Sequence, residues 1–540
     1  MDPASTFNCK GRLRPDPGQL CLIGAVLFSL LWISPTPAFE IDTQSDVKLR
    51  WDTTAKYSAA WRVKNRSDQL VADQNSDDGD RNFDRGLISN RLDLLSEMDV
   101  TYGSIGARLS GAGWFDTAYH QSNDNDSPAT ANSFSVPHDR FTDATRRLHG
   151  GKAEILDAFV FTNTQLGPLP VTVRAGRHTL LWGESLLLAF NGISYAQAPL
   201  DLIKAISVPG TQAKELFLPV GQISCQLRPT ETLSLAAYYQ YEWRKTRLPA
   251  AGSYFSAADL LDAGGERLFT EPGSALFRGR DVEGSDIGQW GISTRYRAQG
   301  VDTDFGLYYI RFHEKLPQLY LRQGAGADPS IGKVGEYSLV YPEDVRLIGA
   351  SFATTVADVS LAGELHVRRN TPLAGTPQQV TPSLAADNRG NPLYAVGETV
   401  HAQVSVIHVM PASLFWDSAS TLAEVGWQHL MDITRNPGAF DATRRRDAWG
   451  FQTVFTPTYF QVLTDLDIDM PLTLSYTPQG KSPLPFFNGP HKGGVMAVGV
   501  SALYRKLWNA GLQFTHFYGG VGFQTLKDRD FVSLSIQRTF

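Results

Sequence analysis

The chain has 540 residues, of which 42% are apolar and 19% are charged. This composition excludes a disordered chain, because it offers enough apolar surface for a large fold. Lysine and arginine total 49 against 55 acidic residues, a net charge of −6, so there is no basic excess and no nucleic-acid partner is expected.

The N-terminal residues 1–38 have the pattern of a secretion signal. A positively charged start is followed by the apolar run 20–33, which is too short to span a membrane as a helix. A stretch with two prolines, 34–38, follows it and predicts cleavage after Ala38. A single N-terminal anchor helix is the alternative, and it is disfavoured because the prolines end the helix early.

Only one cysteine, Cys225, follows the predicted signal peptide. A mature monomer therefore has neither an internal disulfide nor a cysteine metal cluster. After residue 40 no run of 18 apolar residues occurs, so a membrane-spanning mature chain would have to cross with strands.

A two-residue period of apolar and polar side chains recurs along the chain, clearly so in 231–243, 289–297 and 359–368. Such alternation predicts strands with one apolar and one polar face, in a soluble sandwich or in a membrane barrel. The connections separate these two folds. The candidate strands are 47–63, 88–102, 104–118, 153–164, 170–178, 220–229, 231–244, 287–298, 302–313, 345–356, 358–369, 397–409, 419–429, 447–458, 461–478, 494–507, 509–518 and 529–540.

Long and short gaps alternate between these strands. Short turns on the periplasmic side and long loops outside are typical of an up-and-down outer-membrane barrel, whereas a Greek-key sandwich has no reason for them. We therefore predict an all-β, transmembrane, antiparallel barrel of about 18 strands, with 16 as the alternative. The longer gaps, predicted as external loops, include 64–87, 119–152, 179–219, 245–286, 314–344 and 370–396.

The last predicted strand alternates up to a terminal aromatic residue, Phe540. This ending resembles the signal that the barrel-insertion machinery reads. Phe540 is therefore the predicted insertion signal, and the machinery a predicted partner.

Several stretches of the chain form recognisable motifs. They include Asn82-Phe83-Asp84-Arg85-Gly86, Gly176-Arg177-His178, Trp182-Gly183-Glu184-Ser185 and Tyr238-Tyr239-Gln240-Tyr241-Glu242-Trp243. These motifs resemble the proteobacterial domain-of-unknown-function family numbered 1302, over essentially the whole mature chain. The resemblance implies a barrel in the outer membrane of a Gram-negative bacterium and a role in handling hydrophobic compounds such as sterols or aromatics. It implies no catalytic residues.

The gap 179–219 is more apolar than a solvated loop, and its apolar side chains need a surface to pack against. We expect it to fold into the lumen, either as a constriction or small plug on the transport path or as a brace for the wall. Its candidate path-lining residues are Trp182, Glu184, Asp201, Lys204, Lys214 and Glu215.

Charged residues on the polar faces of two strands add four lumen candidates. A transverse field from such charges would select solutes, as rings of charge do in pores. The alternative is that these residues are polar only because the interior is wet. The four residues are Arg295, Arg297, Glu364 and Arg368.

The run Arg444-Arg445-Arg446 lies in a predicted external loop. Contact with lipopolysaccharide phosphates is one interpretation, and a solvated charge run is the other. Outer-membrane lipids are expected around the barrel in either case.

The acidic stretch 73–80 is similar to a calcium loop, but Gly79 falls one place late for the EF-hand spacing. The sequence therefore predicts no metal site, with calcium as the less favoured alternative.

None of the common catalytic motifs occurs, so no enzyme and no cofactor are predicted. The first functional hypothesis is a channel or facilitator for small, hydrophobic or aromatic molecules. The second is a non-transporting component that assists lipid or sterol export by docking a periplasmic or inner-membrane partner. A closed lumen and an apolar patch at the periplasmic rim would support this second hypothesis. A membrane-embedded hydrolase is third and would need a Ser–His or His–carboxylate pair on the outer wall or rim.

Overall fold

The structure, a computed structural model, describes residues 39–42, 45–209, 211, 213–381, 385–487 and 489–540; for 39–42, 213 and 214 it describes the backbone. The predicted signal peptide, 1–38, lies outside the described residues. Among the residues described, no helix is both long enough and apolar enough to cross a membrane.

Strands dominate the described chain, and eighteen strand positions in it form one closed antiparallel ring. The short strand β1 (Phe39–Asp42) pairs beside the start of the first ring strand. The first nine ring strands are β2 (Val47–Arg62), β3 (Gly86–Tyr102), β4 (Ile105–Asp116), β5 (Gly151–Leu166), β6 (Leu169–His178), β7 (Val220–Leu227), β8 (Leu233–Gln240), β11 (Gln289–Ala298) and β12 (Thr303–Phe312).

The second half of the ring closes onto β2 through its last strand. Two short strands share one ring position, because both pair with the strand before them and the strand after them. This half consists of β15 (Val345–Val356), β16 (Val359–Pro372), β18 (Val396–Met410), β19 (Ser418–Arg435), β20 (Asp447–Leu463), β21 (Leu466–Asp469) with β22 (Leu472–Gln479), β23 (Gly493–Tyr504), β24 (Trp508–Tyr518) and β25 (Phe531–Thr539).

The prediction of 18 strands in an antiparallel barrel is thus confirmed, and the alternative of 16 is wrong. Two predicted strand ends need correction: β19 continues to Arg435, six residues beyond its predicted end, and β20 continues to Leu463, five residues beyond its predicted end. The turn lies at 464–465, where Asp465 has a φ of 60° and adopts the left-handed conformation that a two-residue hairpin needs. Aspartate tolerates this conformation better than most residues.

Apolar residues face outwards along the ring and polar residues face inwards. In β3, Leu92 and Leu94 are 49% and 48% exposed, whereas Arg91 and Asp93, which alternate with them, are 4% and 8% exposed. A soluble sandwich would bury the apolar set. The inverted arrangement suits a wall surrounded by lipid, in which every backbone group is paired within the closed sheet.

Short connections lie at one end of the ring and long ones at the other. The short turns are 103–104, 167–168, 228–232, 299–302, 357–358, 411–417, 464–465 and 505–507, and the long loops are 63–85, 117–150, 179–219, 241–288, 313–344, 373–395, 436–446, 480–492 and 519–530. The terminal Phe540 continues the pairing of β25, since its N–H donates to Thr53 O at 2.9 Å and its carbonyl accepts from Thr53 N at 3.2 Å.

Three predicted loops contain strands that the sequence analysis missed. In the part of the chain that the structure describes, five strands from these loops form a second sheet at the long-loop end. Two of its pairings are parallel and join different loops, so no local hairpin signal announces them. The strands are β9 (Arg267–Glu271), β10 (Ser274–Arg278), β13 (Gln318–Asp328), β14 (Lys333–Val340) and β17 (Gln378–Gln379).

The helices are short and all lie in the long loops. The α-helices are α1 (Asp78–Arg81), α2 (Asp143–Thr145), α3 (Leu202–Ser207) and α4 (Ala213–Leu216). Single turns of 3-10 or π type occur at Thr117–His120, Arg146–Gly150, Ile193–Ala196, Pro329–Ile331 and Pro437–Ala439.

Candidate functional site

Residues 179–219, here called the lumen segment, connect β6 to β7, and those of them that the structure describes lie inside the ring. One part contacts inward-facing side chains of β16, β18 and β19. Another part shares a hydrophobic cluster with Ala60 of β2 and Ile88 of β3. Because β3 and β16 are nine strand positions apart in a ring of eighteen, the segment bridges the lumen.

Two wall carboxylates hold residues 182–193, the extended half of the lumen segment. Glu364 of β16 accepts the N–H groups of Glu184, Ser185 (2.9 Å) and Ile193 (2.8 Å). This stretch has little regular structure, so its buried N–H groups need acceptors from elsewhere. An ionised carboxylate is a strong acceptor for that purpose.

Glu424 of β19 plays the same role for the next turn of backbone. It accepts the N–H groups of Leu186, Leu187 and Leu188, with the two shortest bonds at 2.5 and 2.7 Å. Glu424 points inwards and is 1% exposed. The sequence analysis did not select it, although it has the inward parity of its strand.

Basic and amide side chains hold the carbonyl side of the extended half. Arg368 donates to Phe190 O at 3.1 Å and to Gly192 O at 2.9 Å. Asn191 donates to Gln403 Oε1 at 3.2 Å. Wall side chains therefore supply both acceptors for the N–H groups and donors for two carbonyl groups of this half.

Further contacts of the extended half lie towards β8, β11 and β12. Trp182 packs edge-on against Tyr238, with ring centroids 5.0 Å apart, and lies near Tyr308. Glu184 forms an ion pair with Arg295. Burial raises the pKa of Glu184, while the nearby Arg295 acts in the opposite direction.

Residues 200–216, the helical half, are held by ion pairs. Asp201 caps α3 by accepting Lys204 N at 3.0 Å, and its other oxygen pairs with Arg247 at 2.5 Å. Arg247 also pairs with Glu154 of β5 at 2.6 Å. Lys204 Nζ lies 3.0 Å from Glu215 Oε2.

The indole of Trp114, on β4, lies among three of the cations near the helical half. Arg91, Lys204 and Arg247 lie 5.0, 6.0 and 5.7 Å from its ring. Cation–π attraction of this kind strengthens when the groups are removed from water. It adds a wall contact to the ion-pair network.

Most of the predicted lumen residues come together on or around the lumen segment. Arg297 does not: it pairs with Asp302 beside the short turn 299–302, with its side chain 57% exposed. Lys214 lies in α4, but its side chain is outside the described part of the structure. Sequence reasoning missed Glu424, Arg247 and Glu154, whose importance depends on contacts with residues far along the chain.

Five long loops converge on a cavity of about 80 Å³ above the lumen segment. Its lining is mostly apolar, with Leu260, Leu261, Leu319, Leu339, Pro377 and Phe486 among the contributors. Phe486 also stacks on Phe190 of the lumen segment, with ring centroids 5.6 Å apart. The cavity floor is therefore in direct contact with the segment that bridges the lumen.

A buried acid and base lie where the loop after β12 meets the lumen segment. Glu314 accepts a hydrogen bond from the Tyr195 hydroxyl, and Lys315 Nζ donates to Ala196 O at 3.0 Å. Burial lowers the pKa of Lys315 to about 8, with Glu314 opposing the shift. This junction joins the external loops to the lumen segment.

Histidines that contact a serine or a carboxylate are the residues that the hydrolase hypothesis requires. His178 Nε2 lies 2.9 Å from Ser224 Oγ, but its Nδ1 faces a backbone carbonyl, Gly176 O, rather than a carboxylate. On the outer face, His429 Nδ1 lies 2.8 Å from Asp447 Oδ1, which also accepts from Trp427 Nε1. His516 Nδ1 lies 2.6 Å from Asp530 Oδ2, which also pairs with Lys64. In these hydrogen bonds no histidine contacts both a serine and a carboxylate.

The closed ring, with its apolar outer face and polar inner face, defines an outer-membrane β-barrel protein. The chain belongs to the family described as "Protein of unknown function (DUF1302)", whose model matches residues 20–540. The family resemblance drawn from the sequence motifs is thereby confirmed.

Several solved structures are similar to the chain. OccK2 (OpdF) of Pseudomonas aeruginosa, in complex with glucuronate, has 10% identity and a TM-score of 0.40, with 91% of this chain and 98% of that chain covered. OpdK of Pseudomonas aeruginosa, with vanillate, has 11% identity and a TM-score of 0.40, with 91% and 98% covered. OccAB1 of Acinetobacter baumannii has 9% identity and a TM-score of 0.43, with 94% and 99% covered. No curated protein matches the chain.

Proposed function

We propose that this protein is a channel or facilitator through which small hydrophobic or aromatic molecules cross the outer membrane of a Gram-negative bacterium. The observation that carries the proposal is the apolar cavity among the external loops, with Phe486 between it and Phe190 of the lumen segment. Ligand pockets are typically apolar with a few convergent polar groups, and this lining has that character.

The lumen segment is the proposed gate on the path. Below the cavity, Phe190, Ile193 and Tyr195 form one hydrophobic cluster with Tyr308 and Phe312 of the wall. An apolar molecule would exchange the contacts of the cavity for those of this cluster. Release of the segment from Glu364 and Glu424 would open the way for it.

The outer surface supports two lipid partners for the barrel. The apolar outward faces of the strands suit the membrane interior. At the long-loop end Arg445 and Arg446 are both exposed, and Arg446 also donates to the carbonyls of Leu430 and Met431. Arg445 is the residue of that run proposed to meet lipopolysaccharide phosphates.

Uptake of the apolar fluorescent probe N-phenylnaphthylamine by intact Gram-negative cells tests the proposal. Wild-type protein should increase the rate of probe entry over cells without it. Thr376→Trp should cancel the increase, because Thr376 lines the cavity and is exposed, so the indole fills the space without disturbing a core. Thr443→Trp, on another exposed external loop, is the matched control. Equal rates with and without the wild-type protein would contradict the proposal.

One observation favours the docking role as a second candidate. In the turn 411–417, at the short-turn end, Leu414 is 99% exposed and Phe415 is 73% exposed. If this turn docks a partner, cross-linking from the wild-type turn in cells should capture a periplasmic or inner-membrane protein. The double change Leu414→Ser with Phe415→Ser should abolish that capture while the barrel still inserts into the outer membrane. Capture that the double change leaves unaltered would exclude that role.

A further inference from the structure

Three buried carboxylates meet beside the external cavity. Asp77 and Asp78 belong to the loop after β2, and Asp259 belongs to the loop after β8. Each offers one oxygen atom, and these atoms lie within 4.8 Å of one another. The residues are 1%, 2% and 0% exposed, so bulk water does not screen their charges from each other.

One oxygen of each carboxylate is engaged, and this fixes the position of the other. Asp77 Oδ2 accepts from Arg81 Nε at 2.5 Å, Asp78 Oδ2 accepts from Asn132 Nδ2 at 2.8 Å, and Asp259 Oδ2 accepts from Asp78 N at 3.0 Å.

The Oδ1 atom of all three carboxylates is buried and accepts no hydrogen bond. An unpaired buried oxygen is costly, and three of them together call for a ligand.

Nearby cations leave this charge largely uncompensated. Arg267 donates to the carbonyls of Ala131 and Thr130, and Arg529 donates to those of Tyr254 and Ser256. Arg81 pairs with Asp77 but also with Asp126. Three acidic groups therefore share about one arginine.

We propose that Asp77, Asp78 and Asp259 bind a divalent cation, and that the cation is calcium. Carboxylate oxygens are hard ligands, and calcium binds six to eight such oxygens at about 2.3–2.6 Å in flexible geometry. Oxygens up to 4.8 Å apart fit around an ion of that size, whereas magnesium demands shorter, more regular bonds. The site differs from an EF-hand because its ligands come from two loops.

The bound ion would join the two loops that form one side of the cavity. Asn75 and Ser76 line the cavity directly before the first two ligands, and Ala258 and Leu260 flank the third. Calcium would therefore stabilise that side. The inference does not depend on the proposed transport, since metal binding is measured on the purified barrel.

Calcium titration of the purified, refolded full chain, freed of metal by chelation, tests the site. We expect one calcium ion per chain by isothermal titration calorimetry and a higher melting temperature with calcium. Asp259→Asn should weaken calcium binding at least about tenfold to a hundredfold. Loss of a group that only supports a metal ligand already weakens metal binding by that much, and Asp259 is itself a proposed ligand. Asp68→Asn, an exposed aspartate of the same loop as Asp77, is the control and should bind like the wild type.

The variant is expected to fold, because it removes one of three mutually repelling carboxylates. Its melting temperature without metal should equal or exceed that of the wild type. No calcium binding by the wild type, or equal binding by Asp259→Asn, would overturn the proposal in favour of carboxylates that share protons. Tighter binding of magnesium than of calcium would overturn the choice of ion.

Discussion

The two halves of the lumen segment are attached to the barrel by different chemistry. The extended half offers backbone groups, and wall side chains such as Glu364, Glu424 and Arg368 bind them. The helical half satisfies part of its backbone within α3 and α4, so its side chains make the attachment, as in the Asp201–Arg247 pair. A segment without regular structure depends on the wall, whereas a helical one depends on a charge network.

The two modes of attachment differ in how easily each half of the lumen segment can be released from the wall. The bonds of the extended half converge on two carboxylates, so a change at those two groups affects six N–H donors at once. Both halves also pack in hydrophobic clusters, so the convergence of backbone bonds on two carboxylates is what distinguishes the extended half. We therefore infer that the extended half is the part that moves.

The largest effect is expected from the double variant Glu364→Gln with Glu424→Gln. Each amide replaces an acceptor oxygen with an NH2 group that faces N–H donors, and each lost charge-assisted bond is worth about 1.5–3 kcal/mol. Single-channel conductance in a planar bilayer should increase towards that of a chain in which a short Gly-Ser linker replaces residues 183–218. Glu231→Gln, in a short turn, is the control. An unchanged conductance in both altered chains would contradict the gate.

The next effect is expected at the helical half. Arg247→Met leaves Asp201 without its ion-pair partner and leaves Glu154 with Lys152, and breaking a buried pair in this way costs about 3–5 kcal/mol. Hydrogen exchange measured by mass spectrometry should show loss of protection in 200–216 and not in 183–193. Arg297→Met, at an exposed pair, should change neither stretch. Loss of protection in both stretches would show that the halves are one unit.

A smaller effect concerns pH and the loops above the segment. In metal-free protein, burial and the charge of Asp77 raise the pKa of Asp78 to about 7, from 3.8. A raised carboxyl pKa contributes stability below the unfolded pKa, and this contribution is lost as pH rises through the folded pKa. The hydrogen bonds from Asn132 and the charge of Arg267 oppose this shift. The pKa values of Asp77 and Asp259 are raised as well, in both cases chiefly by burial.

The melting temperature without metal should thus be lower at about pH 8 than at about pH 5. Saturating calcium, or the change Asp78→Asn, should reduce that difference. A melting temperature that rises with pH in the metal-free wild type would contradict the expected sign.

The smallest effect is expected for Glu184→Gln within the extended half. Its partner Arg295 has a side chain 52% exposed, and pairs of this kind contribute about 0–1 kcal/mol. Protection of 183–193 against hydrogen exchange should remain close to that of the wild type. A loss of protection as large as that in the double variant would show that this ion pair, rather than the wall carboxylates, is the main attachment.

The sequence predicted much of the barrel and part of the site. Alternation in strands such as β16 shows that Glu364 and Arg368 share a face, because a strand places every second residue on the same side. It does not show which backbone these side chains meet. Glu424 carried the same signal as Glu364, and its role became visible only with Leu187 and Leu188 beside it.

What the sequence by itself determined is therefore periodic and local: the strands of the ring, their inward and outward faces, the order of short and long connections, and the membership of residues 20–540 in their family. The tertiary structure decided what depends on contacts across the ring. It placed Glu424 against the lumen segment, Phe486 against Phe190, and Asp259 beside Asp78, which is 181 residues away in the chain. Local patterns follow from the geometry of one strand, whereas these contacts follow only once eighteen strands have closed and the loops share the space inside and above them.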